Sequence, residues 1–152
     1  MNCSVLIMAG GTGGHIYPAL AVASELEEKG ITVVWLGSHA GLENDIVPKH
    51  GFRLIRIMVS GLRGTGLVRW LLAPIVLSVA LYQALTVVIR EKPQLVLGMG
   101  GFASGPGGVA AWLCRVPVYI HEQNAYPGLT NVLLSRVATK VFQAFPNTFN
   151  KV

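Results

Sequence analysis

Short apolar runs and helix-like stretches alternate along this chain from end to end. "CSVLIMAG" (3–10), "ITVVWLG" (31–37), "RLIRIMV" (53–59), "QLVLGMG" (94–100), "VPVYIHEQ" (116–123) and "KVFQAF" (140–145) read as six strands. Between them fall helices over about Pro18 to Lys29 (stopped by Gly30), Leu42 to His50, 67–91, 107–115 and 129–138. The strands are apolar almost without interruption, as strands buried on both faces are. A helix between successive strands makes the sheet parallel, so the predicted fold is a doubly wound, Rossmann-like α/β domain.

In that architecture ligands bind beyond the carboxyl ends of the strands, where strand order reverses. With the common order 3-2-1-4-5-6 the reversal lies between strands 1 and 4. Those are the strands followed by glycine loops, "AGGTGGH" after the first and "GMGGFASGPGG" after the fourth. Glycines let main-chain N–H groups approach an anion, and a helix N-terminus adds about half a positive charge. Two such loops facing one crevice point to a phosphate. The alternative is that some of these glycines only make tight strand-to-helix turns.

A dinucleotide fingerprint does not fit: Ile16 stands at the third glycine position, and the second strand ends "LGSH", with no acid for a ribose hydroxyl. A Walker loop needs a lysine and a Ser/Thr after its last glycine, and neither loop has them. Hydride transfer and nucleotide hydrolysis are therefore disfavoured. Among the acids, Glu25, Glu27 and Glu28 share a helix face, Glu43 and Asp45 fall in a short connection, and Glu91 ends a long helix. Only Glu122, in "HEQN", lies at the end of a strand. His15, His121, Glu122 and Asn124 are thus the candidate chemistry around the two loops, suited to acid/base work or sugar recognition. His121 reads equally as an ordinary rim histidine. No paired ligand spacing supports a metal site.

Composition changes the picture in one respect. The 152 residues are 52% hydrophobic and only 12% charged, whereas roughly a quarter is usual. Much of the excess lies in "WLLAPIVLSVALYQALTVVI" (70–89), long enough to cross a bilayer. A span would put the third and fourth strands on opposite sides of a membrane and break the sheet, and Pro74, Ser78, Gln83 and Thr86 interrupt the run. The expectation is a crossover helix with a partly exposed apolar face; a wholly buried helix is the alternative. Arg63, Arg69, Trp70, Leu71 and Ile75 would suit shallow insertion into anionic lipid.

The formal charge is +5, but the basic residues are scattered. No stripe or module for nucleic acid is visible, so none is expected as a partner. Cys3 and Cys114 fit no metal or redox spacing and read as small core residues of a reduced compartment. The start "MNCSVLIMAGG" lacks the basic region and cleavage site of a signal peptide.

The stretches "MAGGTGGHIYPALAVA", "VPKHG", "SGLRGTG", "VLGMGGFASGPGG", "VPVYIHEQNAYPGLTN" and "ATKVFQAFP" together resemble the N-terminal half of the MurG family. These are bacterial glycosyltransferases that add N-acetylglucosamine to lipid I, making lipid II for peptidoglycan. The resemblance implies a GT-B architecture, with residues 1–152 as the acceptor domain and a donor domain beyond the end of this sequence. It implies that the loops, through Gly11, Gly13, Gly14, Gly101, Ser104, Gly105 and Gly107, cradle the acceptor's diphosphate. Thr12, Gly13, Gly14 and Asn124 match positions that contact UDP-N-acetylglucosamine. Transfer inverts the anomeric centre, so one general base suffices; His15 is the first choice and Glu122 supports it, with the base itself left open. The resemblance implies no cofactor or metal, and a peripheral location on the cytoplasmic face of the cell membrane. Because the sequence stops after "QAFPNTFNKV", it is expected to bind acceptor and membrane without efficient transfer. A non-catalytic module that recruits a separate donor chain, and a membrane-anchored protein, are the competing readings.

Overall fold

A computed structural model describes residues 4–59 and 67–149. Six strands form one wholly parallel sheet in the order β3-β2-β1-β4-β5-β6: β1 (Ser4–Ala9), β2 (Thr32–Ser38), β3 (Arg53–Ile57), β4 (Leu95–Gly100), β5 (Val118–Glu122) and β6 (Lys140–Gln143). The helices α1 (Gly13–Glu28), α2 (Glu43–Lys49), α3 (Leu67–Glu91), α4 (Ser104–Leu113) and α5 (Leu129–Ser135) connect them. The chain order reverses between β1 and β4, as the common strand order of doubly wound sheets places it.

The apolar strands split their side chains between two cores, because successive residues of a strand face opposite ways. Leu6 and Met8 point to the face covered by α3, α4 and α5, with Val34, Leu36, Ile57 and Ile120. Val5, Ile7 and Ala9 point to the face covered by α1 and α2, with Trp35, Val47 and Met99. Neither face of β1 reaches water, which is why the strand needs no polar alternation.

Two helices begin earlier than their sequence suggests. Proline favours the first turn of a helix, yet α1 starts at Gly13, with Pro18 six residues in. Pro18 has no N–H to give the Gly14 carbonyl, so the helix accepts a missing bond to bring its N-terminus to the glycine loop. Likewise α4 starts at Ser104 rather than Gly107. A Cβ at Gly107 would collide with Met8 Sδ and approach Leu36 within 2.8 Å, so this glycine lets α4 lie close on the sheet. Its expected part in a phosphate cradle is corrected accordingly.

The long apolar helix α3 is the crossover from β3 to β4. Ala73, Ala80, Ala84, Val87 and Val88 are buried, while Leu71 (71% exposed), Ile75 (62%) and Tyr82 (72%) face outward. Ser78 and Thr86 donate their hydroxyls to the Pro74 and Tyr82 carbonyls one turn back, so they add little polarity to the outer face. At its far end Arg53 clasps Glu91 with two 2.8 Å hydrogen bonds, fastening α3 to the start of β3. Arg63 lies outside the described residues, as do the side chains of Arg69 and Trp70.

Candidate active site

The carboxyl ends of β1 and β4 are neighbours at the middle of the sheet, and both glycine loops leave from there. The loops meet backbone to backbone. At Gly101 the backbone has φ +89°, and a Cβ there would collide with the Gly10 carbonyl, so the approach requires glycine. The first loop is held at several points. Trp35 Nε1 donates to the Ala9 carbonyl at 2.8 Å, and the Gly11 N–H donates to Glu43 Oε2 at 2.9 Å. Thr12 is extended, and its carbonyl accepts from the N–H groups of His15 and Ile16. The N–H groups of Gly13 and Gly14 form the open end of α1, with no acidic side chain in that turn.

A cleft of about 930 Å³ opens over these loops. Its floor is Gly10, Gly11, Thr12, His15, Gly100 and Gly101; its walls include Leu77, Leu81, Val109, Trp112, Leu133 and Val137. The floor offers main-chain donors and a helix N-terminus, whereas the walls are hydrocarbon. A ligand suited to it carries an anionic group beside an apolar one.

Residues 5–143 match the glycosyltransferase family 28 N-terminal domain. The chain belongs to this family. It is 60% identical over 146 residues to a UDP-N-acetylglucosamine–N-acetylmuramyl-(pentapeptide) pyrophosphoryl-undecaprenol N-acetylglucosamine transferase of Alkalilimnicola ehrlichii, matching 96% of this chain and 41% of that protein. The enzyme of the same name from Shewanella denitrificans is 58% identical over 145 residues, covering 95% of this chain and 40% of its own length. The crystal structure of Acinetobacter baumannii MurG superposes with a TM-score of 0.87 at 46% identity, over 97% of this chain and 42% of that one. The chain thus spans about two fifths of the length of these relatives. A UDP-N-acetylglucosamine 2-epimerase from Listeria monocytogenes shares the fold at 16% identity and a TM-score of 0.67.

In this family 28 domain the sequence-predicted residues separate into groups. His15 is half-buried on the cleft floor, with Nδ1 buried and unpartnered; a Cβ at Gly100 would stand 2.6 Å from that nitrogen. Gly11, Thr12, Gly101 and Gly105 line the cleft, and Gly13 and Gly14 make the first turn of α1 beside it. Ser104 is wholly buried. Its hydroxyl donates to the Met8 carbonyl at 2.8 Å, with the Gly100 carbonyl at 2.9 Å as an alternative acceptor. The side chain is therefore turned inward, away from any diphosphate.

Glu122 departs furthest from expectation. It is fully buried, and its carboxylate is saturated by the loop that follows it and by Asn131 of α5. Oε1 accepts from Asn124 N (3.0 Å) and Nδ2 (2.8 Å), and Oε2 from Gly128 N (3.0 Å) and Asn131 Nδ2 (2.8 Å). Burial alone would raise its pKa, but these four donors together hold the carboxyl below its ordinary value. A carboxylate so stabilised is a poor proton acceptor, and it makes no hydrogen bond to His15. Support of His15 by Glu122 is corrected to support of the 123–128 loop, which carries the exposed Asn124.

His121 and Glu122, adjacent in sequence, point to opposite faces of the sheet. His121 shares its face with Tyr119, on the α1 side, and does not line the cleft. Burial lowers its pKa, with the Glu122 charge opposing, so it is a neutral histidine at neutral pH. Two functional-site residues escaped the sequence reading. Asn131 is buried on the cleft wall, and its Nδ2 also reaches the His121 carbonyl at 3.2 Å. Glu43, placed by the sequence only in a short connection, is completely buried beneath the first glycine loop. The available signal was the run of glycines around it, at 37 and 41.

Proposed function

We propose that this domain is the acceptor-binding half of an inverting transferase that moves N-acetylglucosamine from UDP-N-acetylglucosamine to lipid I. One observation carries the reading: the two glycine loops share one cleft floor, and that floor runs into apolar walls. A polyprenyl diphosphate has the same two-part character. Its diphosphate would accept from the N–H groups of the first turn of α1 and of the Gly101–Gly105 turn, and its first isoprene units would lie along α3 and α4.

The acceptor sugar's hydroxyl oxygen attacks the anomeric carbon of the donor while the bond from that carbon to the UDP phosphate oxygen breaks. The hydroxyl proton must leave as the bond forms, and His15 is our candidate to take it. Its position on the cleft floor, and the absence of any other titratable side chain there with an uncommitted atom among the described residues, support the choice. Thr12, Gly13, Gly14 and Asn124 would touch the donor, with the rest of the donor site in the part of the relatives that this chain does not match. The outward face of α3, with Leu71 and Ile75, would rest on anionic lipid at the cytoplasmic face of the membrane, and Arg63, Arg69 and Trp70, close by in sequence, would supply basic charge and an aromatic anchor.

The test is an amide NMR titration of the chain with a soluble, short-tailed lipid I analogue. Shifts concentrated at Gly11–His15 and at Gly101–Gly105 support the assignment. A folded chain whose loops do not respond overturns it.

A further inference from the structure

Glu43 is the first residue of α2, and no part of the reaction just described uses it. Its burial is nevertheless expensive, since an ionised carboxylate loses its hydration there. The surroundings are built for it. Oε1 accepts from the Ser38 N–H at 2.8 Å and from Ser38 Oγ at 2.7 Å, while Oε2 accepts from the Gly11 N–H at 2.9 Å. Three glycines clear the space. A Cβ at Gly10 would lie 2.5 Å from Oε1, one at Gly37 would lie 2.7 Å from Cγ, and one at Gly41 would collide with the carboxylate. These glycines are therefore not all anion ligands; part of the glycine-rich character of this region makes room for an acid.

An acid directly under an anion-binding loop is electrostatically perverse unless it does something the loop needs. What it holds is Gly11, whose φ of +87° lies in the left-handed region. The Glu43 carboxylate is the side-chain acceptor that ties its N–H in that conformation. It fixes the turn that carries the chain from β1 through extended Thr12 into α1, and so aims the Gly13 and Gly14 N–H groups.

We propose that Glu43 is a positioning residue for the first glycine loop, holding the Gly11 N–H so that the N-terminus of α1 stays open toward the cleft. The inference rests on the diphosphate reading above only for its consequence on binding; the effect on loop shape stands apart from it. The two possible roles of the carboxylate have opposite signs. Glu43→Gln removes a negative charge, which by charge alone tightens anion binding, but it leaves one acceptor oxygen, which satisfies more donors facing the two of Ser38, so the NH₂ meets the Gly11 N–H and releases the loop.

The experiment has two arms on the whole chain. In the ligand-free protein, the Gly11 amide proton is expected downfield and slow to exchange, and both features are lost in E43Q while strands β4 and β5 keep their spectra. An unchanged Gly11 amide in E43Q overturns the proposal. Titration with the same soluble lipid I analogue is then expected to show about a 10-fold weaker affinity in E43Q, a loss of about 1.4 kcal/mol. Equal or tighter binding overturns the proposal also. If the wild-type loop ignores the analogue, the diphosphate reading fails, and the ligand-free arm still decides the role of Glu43. Gly41→Ala, which displaces the carboxylate without removing its charge, gives the same two readouts if E43Q does not fold. It should reproduce the loss at Gly11, and a normal Gly11 amide there overturns the proposal.

Discussion

Replacing Glu122 with glutamine tests whether that carboxylate is structural. The substitution keeps the shape and removes the charge. Whichever way the amide turns, its NH₂ faces two donors, either Asn124 N and Nδ2 or Gly128 N and Asn131 Nδ2. Asn131 is buried and Asn124 is exposed, so the amide will turn its NH₂ toward Asn124, which can take water instead. Each buried donor left without a partner costs about 1–3 kcal/mol, and partial rescue by water puts the pair near the lower end, about 2–4 kcal/mol in all. For a domain of this size that is a fall in Tm of roughly 5–15 °C. Urea unfolding followed by far-UV circular dichroism reads it directly.

The pH dependence supplies the second half of the test. Glu122 and Glu43 are both held below their ordinary pKa by hydrogen bonds to the ionised form. A depressed carboxyl pKa gives stability that is present above the unfolded value, about 4.3, and is lost as pH falls through the folded value. E122Q should therefore lose less stability than the wild type as the pH falls from about 5 toward the acid limit. A neutral-pH change under about 1 kcal/mol with an unaltered acid limb would refute the reasoning, and would return Glu122 to the list of possible bases.

His15→Ala, in a full-length relative carrying this domain, should lower kcat far more than it weakens acceptor binding; unchanged turnover removes it from the mechanism. Gly101→Ala forces a left-handed residue to carry a side chain into the Gly10 carbonyl, so it should cost roughly 1–3 kcal/mol in urea unfolding and weaken the lipid I analogue's shifts at both loops. Leu71→Ser with Ile75→Ser should reduce sedimentation with anionic liposomes while leaving stability within about 0.5 kcal/mol, because both side chains face outward. A matching loss of stability would make that face part of the core. Below about pH 6.5, His121 should add a further loss of stability, since burial disfavours its charged form; an H121F variant with the same pH profile would count against this.

The order of strands and helices, the parallel sheet and the crevice after β1 and β4 were legible in the sequence. They follow from local quantities: runs of apolar residues, their lengths, and the glycines that punctuate them. Family 28 membership was legible for a related reason, since the motifs that carry it are contiguous stretches. The length of α3 and its apolar character could also be read, but not which side of it is covered. That depends on where the small residues Ala80 and Ala84 meet the sheet and α4.

What tertiary structure alone decided is the work of each acid and each glycine. Glu43 and Glu122 look alike in sequence to solvated or catalytic carboxylates. Glu43 meets the Gly11 N–H across 32 residues, and Glu122 is enclosed when the loop after it turns back and brings Gly128 and Asn131 onto its carboxylate; no local pattern encodes either meeting. The two-residue period of a strand separated His121 from Glu122, and the start of α4 at Ser104 turned Gly107 into a packing residue. Sequence settles what a segment can be, because propensity and periodicity act over a few neighbours. Which hydrogen bonds a buried polar atom makes is settled only when distant segments close around it, because an unpaired charge cannot stay buried.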